Sequence, residues 1–229
     1  MKTKAVVLAG AALLAASSSA LAQKASQSAG NRKRQTQDEL VEVLKKADAT
    51  RKDKADALRV LAQVGDRGCL PVVAPLLRDE ELADMARYAI EPIPDPAVDD
   101  ALRAAVAEAT GRPLVGAIAS LGVRRDVKAV PILIPKLADA DVQVAVIAAK
   151  TLGEIGTLAA AKALEDALPK AQAVAQAAVV EGLFRSAETL AAQGQGKAAA
   201  GLYDALAKCA PLACVKDVAA KRAEALRKA

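Results

Sequence analysis

The sequence predicts an all-α fold, a right-handed α-solenoid of about five helix pairs, on three observations. Apolar residues recur at helical spacing along most of the chain. They recur again with a longer period near 31 residues. Finally, 53% of the 229 residues are hydrophobic while only 1% are aromatic: Tyr88, Phe184 and Tyr203. Such a core is built of Ala, Leu and Val, and Ala lets helices approach closely at no cost in helix propensity.

The chain opens with Lys2 and Lys4, an apolar run from Ala5 to about Ala16, and small residues ending in Ala20-Leu21-Ala22. This is the three-part layout of a secretory signal peptide over residues 1–22, cleaved between Ala22 and Gln23. The run is too short to span a bilayer, and no later segment is long enough, so no membrane span is expected after cleavage. The mature chain is expected to be periplasmic or secreted. Cleavage takes two of the 32 basic residues, leaving 30 against 27 acids and a net charge of +3. That is too mild to imply a nucleic-acid partner. Residues 23–36 are polar, contain Arg32-Lys33-Arg34, and read as a flexible linker.

Residues 37–229 read as the repeat domain. The apolar residue near the end of each first helix is Leu61, Ile90, Leu121, Leu152 and Leu183, with steps of 29, 31, 31 and 31. A residue inside each second helix is Val73, Leu102, Leu133, Leu164 and Leu202, with steps of 29, 31, 31 and 38. The long last step marks an insertion of about seven residues near Leu190 to Gly196, in a last unit over about 172–211. Within a unit, Leu114, Ala117, Ile118 and Leu121 fall at i, i+3, i+4 and i+7, as do Val130, Leu133, Ile134 and Leu137. Neither helix can bury its stripe alone, so the units must stack.

The turns repeat as well. Gly65, Pro94, Arg125 and Gly156 share one ladder position, where the two Gly suit a left-handed helix end and Pro stops a helix. Asp66, Asp95, Asp126 and Thr157 follow as N-caps. Pro71 and Pro131 fit an early position in the second helix, whereas Pro75 and Pro135 should kink it or confine it to a first turn. A polar helix over about 213–228 suits a solvated cap on the array.

These strings resemble HEAT repeats, most of all the short bacterial type named after phycobilisome-lyase subunits. The closest unit is VAVIAAKTLGEIGTLAAAKALEDAL (144–168). RYAIEPIPDPAVDDALRAA (87–105) with GAIASLGVRRDVKAVPIL (116–133) is similar to exported multi-repeat proteins of planctomycete-type bacteria. AETLAAQGQGKAAAGLYDALAKCAP (187–211) resembles a tetratricopeptide-like helix pair. The resemblance implies a HEAT-like superhelix and carries over no catalytic residue.

Composition narrows the chemistry. With no His, Ser-His-Asp and Cys-His catalysis and His-ligated metals are excluded. With three aromatics, base-stacking modules are disfavoured. Asp66, Asp95 and Asp126 come one per repeat, about 10 Å apart in a helical stack, too far for a shared metal. No cofactor and no metal are expected. Glu80-Glu81 and Asp99-Asp100 read as first-turn acids favoured by the helix dipole, and Tyr88 and Tyr203 as core or groove packing.

Arg124 and Arg125 are the candidate contacts to an anionic group of a partner; pairing with neighbouring caps and carbonyls is the other reading. Of the three cysteines, Cys209 and Cys214 flank Pro211 and are the candidates for a local disulfide, while Cys69 reads as a small buried residue. The expectation is a monomeric, non-catalytic scaffold binding a protein or peptide partner through a concave face. The alternatives are an accessory subunit of an envelope enzyme complex and, less favoured, a phycobilisome-lyase-like enzyme with a Cys nucleophile.

Overall fold

The structure, a computed structural model, describes residues 36–228. The expected signal peptide, with its expected cleavage between Ala22 and Gln23, and nearly all of the expected linker lie outside the described residues. Within them the fold is all-helical, and no strand is present.

A leading helix α1 (Gln37–Lys45) is followed by five helix pairs. The first helices are α2 (Arg51–Val64), α4 (Ala83–Ile90), α6 (Gly111–Val123), α8 (Val142–Ile155) and α10 (Ala173–Ala192). The second helices are α3 (Leu70–Val73), α5 (Pro96–Glu108), α7 (Val130–Leu133), α9 (Leu158–Ala167) and α11 (Gly196–Cys209). Helix α12 (Ala213–Lys228) closes the domain, where a cap helix is expected, and packs on α11.

Each first helix packs on the next in series, α2 on α4, α4 on α6, α6 on α8 and α8 on α10. All five residues of the first ladder are fully buried, and the second ladder is buried throughout. Burying one Leu contributes about 1.5–3 kcal/mol, so each repeat has its own hydrophobic anchor joined to its neighbours.

The turn chemistry follows the ladder. The side chains of Asp66, Asp95 and Asp126 accept from the amides of Gly68 (2.7 Å), Ala97 (2.8 Å) and Lys128 (3.1 Å). Thr157 accepts from Ala160 at 3.2 Å. Asp66 also accepts from the Gln37 side chain, which ties α1 to the first pair. That bond, followed by the one from Gly68, holds the Asp66 carboxyl below its ordinary pKa. Helix α2 starts with a capping box, in which Thr50 accepts from the Asp53 amide while the Asp53 carboxylate accepts from the Thr50 amide.

The prolines set the lengths of α3 and α7. Pro75 and Pro135 have no N–H to give to the carbonyl four residues back. At both places the α-helix stops after one turn and continues as a 3₁₀ segment, Ala74–Arg78 and Ile134–Ala138. The seven-residue insertion is absorbed by α10. That helix runs to Ala192, nine residues past its ladder residue Leu183, whereas α8 ends at Ile155, three past Leu152.

Three expectations are corrected. Gly65 is extended (φ −73°), not left-handed. Glu80 and Glu81 lie in the turn before α4, whose own first-turn acid is Asp84. Tyr88 is 54% exposed on α4, while Tyr203 is buried and packs against Phe184 with ring centroids 5.7 Å apart.

Candidate functional site

The densest polar region runs along the turns of the second and third pairs. Arg124 is turned inward. Its guanidinium donates to the carbonyls of Glu91 (2.7 Å) and Ile93 (2.9 Å), reaches that of Asp95, and pairs with the Asp99 carboxylate. One side chain thereby ties the third pair to the turn of the second. Arg124 thus pairs with neighbouring carbonyls and a first-turn carboxylate, the second of the two readings the sequence allows, and this replaces its reading as a partner contact.

A second, partly buried pair joins Arg103 of α5 to Asp126, with the exposed Asp100 on the other side of the guanidinium. Burial works against the charge of Arg103, but the hydrogen bonds it donates to Asp126 and Asp100, with the attraction of those two carboxylates, outweigh it and raise its pKa. On the first-helix side, Asp84 accepts from Arg87 at 2.6 Å and also holds Arg112. Arg87 reaches Ser120, whose hydroxyl donates to Glu91 at 2.7 Å. The Arg87 bond, ahead of burial's opposing effect, keeps the Asp84 carboxyl below its ordinary pKa. These charges staple successive helix pairs and are used within the fold.

Arg125 is an exception, as is the exposed Lys128 in the same turn. Arg125 is exposed, and no ion pair or hydrogen bond of its side chain is present among the described residues. Its backbone is left-handed, φ 51°, the one non-glycine residue so placed among the described residues. The geometry is a Schellman ending of α6: the Asp126 amide donates to Leu121 O at 3.0 Å and the Arg125 amide to Gly122 O at 2.9 Å. Helix α10 ends the same way, with Gln195 donating to Leu190 and Gly194 to Ala191, and there the left-handed residue is Gly194 (φ 78°). Gly156, at the ladder position of Arg125 one pair later, is also left-handed, φ 65°. An L side chain in this conformation costs about 1–2 kcal/mol that Gly does not incur.

Beside Arg125 lies a polar groove of 350 Å³ at the C-terminal ends of α6 and α8 and along α10. It is lined by Val123, Arg125, Glu154, Arg185, Glu188 and Thr189, among others. Arg185 pairs with Glu181 (3.0 Å) and approaches Glu154 (4.0 Å). A second groove, of 510 Å³, separates α9 from α11; Leu168, Gly201 and Ala205 line it, with Lys170, Lys208 and Cys209 at its edge.

Cys209 and Cys214 are both exposed free thiols, so the expected local bridge is not formed. Cys69 is fully buried, and burial raises its thiol pKa. Among the described residues no group of His, Cys, Asp or Glu side chains is placed to hold a metal ion. No helix among them is long and apolar enough to cross a membrane.

The ladder position of Arg125 was visible in the sequence, but the inward turn of Arg124 was not. Arg185, Glu188 and Thr189 carried no sequence signal, because they meet Arg125 only through the stacking of α10 on α8, and Glu188 and Thr189 only through the lengthened end of α10. Compared with known families and curated proteins, the chain matches no family model and no curated protein.

Proposed function

We propose that the protein is an exported, non-catalytic interaction scaffold of the periplasm or cell exterior, a right-handed α-solenoid of HEAT-like repeats that binds a protein or peptide partner. The observation that supports this reading is the serial packing of first helices over two ladders of buried residues. A stack in which each repeat touches its neighbours presents long, continuous faces, which suit an extended partner better than a small substrate. In this reading the second helices line a concave face, and the polar staples keep its curvature rigid.

The test is affinity capture by the mature chain, residues 23–229, from the native cell envelope, with mass spectrometry of the eluate and reversed-charge variants of surface residues as controls. A stoichiometric partner, displaced by those variants, is the expected result. Recovery of no partner under crosslinking would refute the scaffold reading. The partner's identity separates a general scaffold from an accessory subunit of an envelope enzyme. Sequencing the N-terminus of the exported chain checks cleavage after Ala22.

A further inference from the structure

We infer that the α6–α7 turn is a docking surface, and that Arg125 holds there a carboxylate presented by an acidic, aliphatic segment of a partner protein. The inference rests on the scaffold reading and adds the contact surface and the chemistry of the partner.

Three independent observations meet at this turn. The first is strain: α10 and the Gly156 turn place glycine where α6 places Arg125. A strained conformation kept at a helix end points to a role for the side chain it carries. The second is charge. Neighbouring Arg124 is held by a carboxylate and carbonyls and Arg103 by two carboxylates, while the exposed Arg125 has no side-chain partner among the described residues for its five donors. The groove's other cation, Arg185, is already paired. A carboxylate is the group that matches a guanidinium fork.

The third observation is the surrounding surface. Val123 is 65% exposed and Val127 58% exposed, one on each side of Arg125 in sequence. Leu158, 55% exposed, occupies the position of Val127 one pair later, directly after its cap residue. Val123 lines the groove beside Arg125, and an aliphatic side chain so placed excludes water from an ion pair at Arg125 when a partner covers it. Glu154 and Glu188, on the α8 and α10 walls of the groove, disfavour a further acid between them and so leave Arg125 itself as the place for the partner's carboxylate.

The experiment places a photoreactive benzophenone side chain at Val127 or, separately, at Ile134 on the second-helix side, in the full chain expressed in its native cell. Adducts are mapped by mass spectrometry. The expected result is a specific adduct at Val127 with a segment that carries an Asp or Glu beside aliphatic residues, lost in the Arg125→Glu background. That segment, made as a labelled peptide, should bind the purified chain at least tenfold more weakly after Arg125→Gly, with Arg125→Lys in between. Converting the peptide's carboxylate to an amide should cause the same loss, and the two losses should not add. Arg125→Gly should meanwhile raise the melting temperature.

A Val127 adduct with no carboxylate nearby, or a peptide bound equally well by Arg125→Gly, overturns the inference. So does a lowered melting temperature in Arg125→Gly, which would remove the strain premise. An adduct from Ile134 alone overturns this surface and leaves the scaffold reading standing. Adducts from neither position count against both.

Discussion

Adding a single methyl group to Gly153 should separate two helices that the fold holds in contact. Gly153 lies in α8 facing Gly182 of α10, in direct backbone contact. A Cβ on Gly153 would fall 2.9 Å from the Gly182 carbonyl oxygen and 3.1 Å from its carbonyl carbon. Both atoms are backbone, so no side-chain rotamer can relieve the clash, and α10 must move. Carbon contacts in a packed core sit at about 3.5–4.0 Å, so the shift needed is on the order of 1 Å. Overpacking of this kind costs about 3 kcal/mol, and Ala regains about 1 kcal/mol of helix propensity over Gly. The net is a loss of about 2 kcal/mol, or roughly 4–8 °C in melting temperature for a domain of this size.

The control is the same substitution on α11. A Cβ on Gly201 meets nothing within 4 Å. Only propensity then acts, and Gly201→Ala should stabilise by about 1 kcal/mol. Thermal unfolding followed by circular dichroism at 222 nm compares the two. If Gly153→Ala melts at or above the wild-type temperature, the α8–α10 contact is not the close backbone approach described, and the reasoning fails.

Three further predictions concern the polar staples and the thiols. Asp126→Ala removes a cap and leaves Arg103 with only Asp100, and should destabilise by about 3 kcal/mol in urea unfolding, whereas Asp100→Ala, at an exposed site, should change little. Asp84 has a pKa depressed in the folded state, so its contribution is present above the unfolded carboxyl pKa and is lost as pH falls through the folded value. Melting temperature should therefore fall on acidification below about pH 4, and Asp84→Asn should flatten that decline; equal slopes in both proteins would contradict it. With a chromogenic disulfide reagent, Cys209 and Cys214 should react at once in the native protein and Cys69 only after denaturation. Immediate labelling of Cys69 would show that the first pair is open.

The two ladders, the caps and the short second helices were legible because they are local or periodic. A buried stripe at 3.6-residue spacing, an Asp before a helix, and a Pro four residues after a Pro each act within one or two turns of chain. Leu121 and Leu133 could be placed in the core from spacing alone, and Pro75 and Pro135 could be placed where the helix tightens. Arg124 and Arg125 could not be told apart in that way. They are adjacent and chemically identical, yet the left-handed φ of Arg125 sends successive side chains in opposite directions. One meets the carbonyls of a turn 29 to 33 residues earlier, and the other meets solvent. Tyr88 was misplaced for a similar reason, since aromatic character does not say which face of α4 is covered.

What the sequence by itself determined is the all-helical class, the five pairs, the cap residues and the exclusion of every histidine-based chemistry. These depend on composition and on interactions within a few residues. The tertiary structure decided which charges are engaged inside the fold and which remain outside it. It also decided that the insertion lengthens α10, and that Gly153 and Gly182 face each other between α8 and α10. Those outcomes depend on side chains meeting about 30 residues apart in sequence, where the direction of each side chain, set by backbone conformation and by the stacking of whole helices, determines the partner.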